Sequence, residues 1–264
     1  NYKKNKIIWA KNLLIPFRSN LKIINDVIFV SDEKNQVILI DLKNGNKIDE
    51  LYTQPSKTVS DFEGNLALDK NNNLLFLSTN GTLYSLNLIN NKIMNWIQNF
   101  KPESDIIFKG KPVIISNDKI IVTTNNNITL LNDKGARLWS TNIKSNISPK
   151  ISGNTIFTVD EDNFLVFIDI NNGNIIYSKN INLLLAKDFK KKFQRKINKI
   201  NHIYITGNKL LLISNNSFFI EIDLQNTQNI ASIKKNPFNI SSNIIFVNNE
   251  MLFVDESNRV FKVN

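Results

Sequence analysis

The sequence predicts an all-β chain, a single β-propeller of four-stranded blades over residues 1–264, with about six blades. Three observations predict it. A unit of about 45 residues recurs along the whole length, each copy holds a short apolar run bounded by Asn, Asp and Gly, and the two ends of the chain complement each other.

The repeat is clearest at its strand-ending acid or amide, which falls at Asp41, Asn87, Asn132, Asp169, Asp223 and Asn264, at spacings of 46, 45, 37, 54 and 41. Four short strands and their turns need about that much chain. The first strand of a copy is read at 22–24, 112–115, 149–151, 203–205 and 244–247. The second is the apolar run, at 27–30, 74–77, 120–122, 155–159, 210–213 and 251–254. Continuous apolar runs this short, rich in β-branched residues, belong to strands covered on both faces, as inner blade strands are.

Between these two strands lie Asn25-Asp26, Asn117-Asp118, Gly153-Asn154, Gly207-Asn208 and Asn248-Asn249, residues that tolerate positive φ in tight hairpins. Gly45, Gly135 and Gly173 play that part in the later turn, and Trp139 and Tyr177 each follow their glycine by four residues, with Trp96 in the corresponding strand. The last copy stops after its third strand, while residues 7–12 read like a fourth strand, so the N-terminus is expected to complete the last blade and remove its open edges. The chain begins at Asn1 without Met, so an upstream segment is expected, and any signal peptide or lipid-bearing residue would lie there; seven or eight blades follow if it holds further repeats.

With 264 residues and 42% hydrophobic content the chain can bury a substantial core. Its 33 Lys and Arg against 23 Asp and Glu give a charge of +10, which attracts anionic lipid or an acidic protein, although the 46 Asn and abundant Ile and Lys show that drift in composition supplies much of that excess. No cysteine is present, which excludes disulfides, thiolate zinc sites and thiol catalysis. His202 is the only histidine, so a multi-histidine metal site is excluded and the residue reads as structural or solvent-facing. The acidic turns Asp32-Glu33, Asp160-Glu161-Asp162 and Asp255-Glu256 lack calcium-loop spacing and read as hairpin chemistry. No catalytic, cofactor or metal site is assigned, and no apolar run reaches the ~18 residues of a membrane span.

The segment 183–200 is not required by the repeat. Phe189, Phe193, Ile197 and Ile200 fall at helical spacing, and seven basic residues occupy positions 187–199: Lys187, Lys190, Lys191, Lys192, Arg195, Lys196 and Lys199. A basic amphipathic helix is expected there, either packed locally on the blades or docking an anionic partner or membrane surface through those residues with Phe189 and Phe193. It shares one end of the blades with the long connections at 53–64 and 98–110, where binding loops on a rigid scaffold usually lie.

Leu39-Ile40-Asp41-Leu42-Lys43-Asn44-Gly45 and Ile168-Asp169-Ile170-Asn171-Asn172-Gly173-Asn174-Ile175-Ile176-Tyr177 resemble the repeat of pyrroloquinoline-quinone-type propellers. That family contains quinoprotein dehydrogenases and the non-catalytic BamB-type lipoproteins of the outer-membrane barrel-assembly machinery. The second group looks closer, because the dehydrogenases commonly use vicinal cysteines to hold the quinone. The resemblance implies a monomeric periplasmic scaffold without enzymatic activity or cofactor, with any lipid anchor in the upstream segment, whose partner is a protein such as the barrel-assembly machinery and not a nucleic acid. The alternative is a quinone- or small-ligand-binding propeller with its site in the central channel. Trp-Asp and sialidase signatures are absent.

Overall fold

The computed structural model describes residues 6–14, 16–51, 53–54, 64–88, 94–101, 108–145, 147–188, 197, 199–227, 229–242, 244–247 and 250–263. The fold is the expected all-β one: six antiparallel sheets follow one another along the chain as propeller blades, each with its strands in sequence order. Two compact units divide them, Asn1–Asn142 and Ile143–Asn264.

The first unit holds three sheets. They are β1 (Lys22–Ile24), β2 (Val27–Ser31), β3 (Val37–Asp41) and β4 (Lys47–Leu51); β5 (Asn65–Leu68), β6 (Asn73–Leu77), β7 (Thr82–Asn87) and β8 (Met94–Asn99); and β9 (Ile114–Ser116), β10 (Lys119–Thr123), β11 (Asn127–Asn132) and β12 (Arg137–Asn142). Phe29 and Leu39 of the first sheet pack against Leu74, Phe76 and Tyr84 of the second, whose other face sends Leu75, Leu77 and Leu83 against Ile120, Val122 and Leu131 of the third. Alternate residues of β6 therefore enter two different cores, which is why its sequence is apolar without a break.

The second unit repeats the plan with β13 (Lys150–Ser152), β14 (Thr155–Val159), β15 (Phe164–Asp169) and β16 (Ile175–Asn180); a helix α1 (Ile181–Asp188); β17 (Ile200–Thr206), β18 (Lys209–Ser214), β19 (Phe218–Asp223) and β20 (Ile230–Lys235); and β21 (Ile245–Val247), β22 (Glu250–Val254) and β23 (Val260–Val263). The Asn180 side chain caps α1, its Oδ1 accepting the Asn182 N–H at 2.9 Å. Ile181, Leu184 and Leu185 then join the core formed by Phe157, Leu165, Leu210 and Ile220. The helix thus begins two residues before the expected span and cannot reach its expected end, because Ile200 pairs with Ser214 as the first residue of β17. Residues 189–196 lie outside the described residues.

One turn recurs between the second and third strands. Asp32 Oδ1 accepts the N–H groups of Lys34 and Gln36, both at 2.8 Å; Asp160 does the same for Asp162 and Phe164, and Asp255 for Ser257 and Arg259. The fourth residue of each turn, Asn35, Asn163 or Asn258, sits at φ near +60°, a conformation Asn accepts more readily than most side chains. The acidic turns are therefore hairpin chemistry, as their spacing predicts. Ser214 and Ser217 build the same turn without charge, Ser214 Oγ accepting the Phe218 N–H at 3.0 Å.

These left-handed residues also fasten one sheet to the next. Asn35 Oδ1 accepts the Thr79 N–H at 2.9 Å, Asn163 Oδ1 accepts that of Ile200 at 3.2 Å, and Ser217 Oγ accepts that of Ile240 at 2.9 Å.

At the opposite end, the turn between third and fourth strands opens on the repeating acid or amide. Asp41 Oδ1 accepts the Lys43 N–H at 2.7 Å, and the Asp41 carbonyl accepts that of Gly45 at 2.8 Å. Each of the five four-stranded sheets has a register shift just before this turn, at Leu39/Ile40, Ser85/Leu86, Leu130/Leu131, Phe167/Ile168 and Glu221/Ile222. The aromatic of a preceding strand docks on it: Trp96 lies on Gly135 with its indole N–H 3.0 Å from the Asp133 carbonyl, and Tyr177 donates its hydroxyl to the Thr227 carbonyl at 2.6 Å. Residues 7–12 carry no strand pairing among the described residues, and the last sheet there has three strands. Trp9 nevertheless docks on Gly45 as Trp96 docks on Gly135, donating its indole N–H to the Leu42 carbonyl at 2.7 Å.

Gly135 is bound to its identity twice, by a φ of +78° and by Trp96, whose Cδ2 would stand 2.5 Å from an added Cβ. Gly135→Ala should destabilise the chain by about 2–5 kcal/mol, combining left-handed strain of ~1–2 with overpacking of ~1–3. In a Trp96→Ala background the same change should cost only the backbone strain, and denaturant unfolding of the four proteins in that cycle measures the coupling.

Candidate functional site

The first strands of the three sheets in the second unit bring together the most unusual side chains of the described residues. A bulge in β17 between Ile200 and His202 lets Ile200 and Ile203 both face the core, although their odd separation would otherwise place them on opposite faces. His202 and Tyr204 fall on the other face, with ring centroids 6.2 Å apart and nearly parallel. The Tyr204 hydroxyl accepts the Ile244 N–H at 3.0 Å, which fixes the ring, and Phe246 of β21 meets it edge to face at 5.2 Å. From β13, the Lys150 ammonium lies 5.4 Å from the Tyr204 ring centroid.

Lys150 is half-buried and makes no ion pair among the described residues. Burial alone lowers its pKa. His202 is also held below its ordinary value, first by burial and then by the positive charge of Lys150, so the imidazole is neutral at pH 7 with one donor and one acceptor nitrogen. Burial raises the Tyr204 phenol, opposed by its hydrogen bond to Ile244. The arrangement offers a desolvated cation, a neutral hydrogen-bonding ring and a fixed aromatic surface, a set suited to binding and not to a nucleophile–base pair.

A second group, Asp69, Asp118 and Asp133, lines a recess in the first unit with Lys70. The Lys70 ammonium pairs with Asp118, which raises its pKa through that hydrogen bond and charge, while Asp69 Oδ1 accepts the Asn71 and Asn73 N–H groups at 2.8 Å. The Asp69 and Asp118 carboxylates are thus engaged by the protein itself.

Of the basic segment, Lys187 lies in α1 and Lys199 is exposed immediately before β17. Phe189, Lys190, Lys191, Lys192, Phe193, Arg195 and Lys196 lie outside the described residues, as do 55–63 and 102–107 of the long connections, Asn248, Asn249 and Asn264. Ile197 is buried in the core with Leu184 and Leu185. Sequence reasoning missed Lys150, Tyr204 and Phe246, which stand about 50 and 40 residues apart in the chain. Their common signal is position, since each occupies the first strand of its repeat.

The family described as outer membrane protein assembly factor BamB matches residues 95–182, from β8 into α1. Among solved structures, BamB from Moraxella catarrhalis is similar with a TM-score of 0.68 at 12% identity, over 98% of this chain and 77% of that one. The C-terminal WD40 domain of Sif2 is similar with a TM-score of 0.64 at 9% identity, over 92% of this chain and 66% of that one. No curated protein matches. At these identities the structures share the propeller fold, and it is residues 95–182 that resemble the BamB family.

The lowered His202 pKa fixes a sign. The unfolded chain, with an ordinary imidazole near 6.5, takes up a proton that the folded chain resists, so this contribution to stability is present above about pH 6.5 and lost as pH falls through that value. The melting temperature should fall between pH 7 and 5, and His202→Gln should flatten that slope. NMR titration of the single histidine should give a pKa below 6.5 that moves upward in Lys150→Gln.

Proposed function

We propose that this chain is a non-catalytic, protein-binding scaffold that contributes to outer-membrane β-barrel assembly in the periplasm. The observation that carries the reading is the BamB family match over residues 95–182, joined to a likeness in fold to BamB along 98% of the chain. The turn chemistry supports it. Backbone N–H groups occupy Oδ1 of the turn carboxylates and left-handed residues tie neighbouring sheets, so the turn acids serve the hairpins that carry the loops.

Docking is assigned to the connection between β16 and β17, with Lys187, Phe189, Lys190, Lys191, Lys192, Phe193, Arg195, Lys196 and Lys199 as its charged and aromatic elements. Ile181, Leu184 and Leu185 at its start and Ile197 near its end are buried in the core of the second unit.

Affinity capture from a native cell envelope should recover barrel-assembly components with this chain. Recovery of none, or a cytosolic location, contradicts the proposal. Replacing Lys190, Lys191, Lys192 and Arg195 together with Gln should leave thermal unfolding in place yet weaken that recovery, most at low salt, because screened attraction has been removed. Unchanged recovery contradicts the assignment of docking to this segment.

A further inference from the structure

Lys150 poses a physical question. A half-buried ammonium with no carboxylate partner among the described residues loses hydration without gaining a counter-charge, and the ring face of Tyr204 returns only part of that loss. Such a cation attracts an anion. The groups around it restrict which anion fits. His202, which feels the Lys150 charge, supplies one hydrogen-bond donor and no charge at pH 7, and the Tyr204 hydroxyl is already engaged with Ile244. One cation and one neutral donor match a monoanionic carboxylate; a phosphate dianion usually draws several cations or a fan of backbone N–H groups.

The other side of the site is apolar. Phe246 is 45% exposed between Ile245 and Val247, at 61% and 43%, and its ring stands edge-on to Tyr204. Ile245 and Val247 alternate to the opposite face of β21, so the apolar wall beside the cation is made by the Phe246 ring together with that of Tyr204, a surface for a ligand with an apolar body.

We propose that Lys150, His202, Tyr204 and Phe246 form a binding site for a carboxylate carried on an apolar or aromatic body, the carboxylate meeting Lys150 and His202 and the body lying against Tyr204 and Phe246. This goes beyond the scaffold reading and stands independently of it. The carboxylate can come from a free small acid or from the end of a polypeptide.

His202 is the only histidine, so its ring protons give an unambiguous NMR signal inside the site. Titrating the whole chain with 3-phenylpropionate should shift that signal saturably and raise the His202 pKa, since an anion beside the ring favours its protonated form. The neutral isostere 3-phenylpropanol should do neither. Lys150→Gln should weaken 3-phenylpropionate binding about tenfold or more, while Lys179→Gln, on the exposed part of β16, should leave it unchanged. A short peptide ending in a free Phe carboxylate separates the sources: tighter binding than 3-phenylpropionate assigns the site to polypeptide ends, and equal or weaker binding to small acids. Equal response to acid and alcohol, or no His202 shift at millimolar acid, overturns the proposal without reliance on any variant, and retained scaffold activity in Lys150→Gln keeps the two readings distinct.

Discussion

An aromatic side chain resting on a turn is the contact on which the rest of the structure depends. Each sheet buries both faces of its inner strands only if its neighbour is held flush against it, and the hydrophobic effect alone does not set that register. Trp9 and Trp96 set it by filling the space a glycine leaves open and by donating the indole N–H to a turn carbonyl. Tyr177 does the same with its hydroxyl toward Thr227. The glycine is doubly constrained, by positive φ and by the ring above it, and the acid or amide that opens the turn is constrained by the N–H groups it must accept. Acid, glycine and aromatic are thus parts of one device, which explains why they recur together.

A second fastening lies at the other end of the sheets. Asn35, Asn163 and Ser217 occupy the left-handed position of their turns and point their side chains at the next sheet. In the second unit Tyr177 and Asn163 pin the sheet β13–β16 to the sheet β17–β20 at both ends, an arrangement that holds loops without an ordering cost. Fastening of this kind holds Lys150, Tyr204 and Phe246 in place, although they come from three different sheets.

Much of this was legible in the sequence for a physical reason. Runs such as Leu74–Leu77 or Ile120–Val122 face two cores at once, so apolarity without alternation marks them, and the turn chemistry brackets them. Weaker elements escaped. The first strand of the second sheet, Asn65–Leu68, is four residues long and has no glycine or Asn-Asp pair after it, and its turn is built by Asp69 and Asn72 instead. The helix start was misplaced because Asn180 ends a strand and caps a helix at once. Lys150, Tyr204 and Phe246 carry no local pattern. Only the stacking of sheets joins them, and His202 alone stood out by its rarity.

The docking of aromatics onto turns is most directly tested by hydrogen exchange at the indole nitrogens, read by NMR with Trp9→Phe and Trp96→Phe used for assignment. The indole N–H groups of Trp9 and Trp96 donate to the carbonyls of Leu42 and Asp133, so both should exchange roughly a hundredfold more slowly than free indole, or slower still. Exchange of both at the rate of free indole would show that the rings do not sit on their turns, and would contradict the account of how one sheet is fixed to the next.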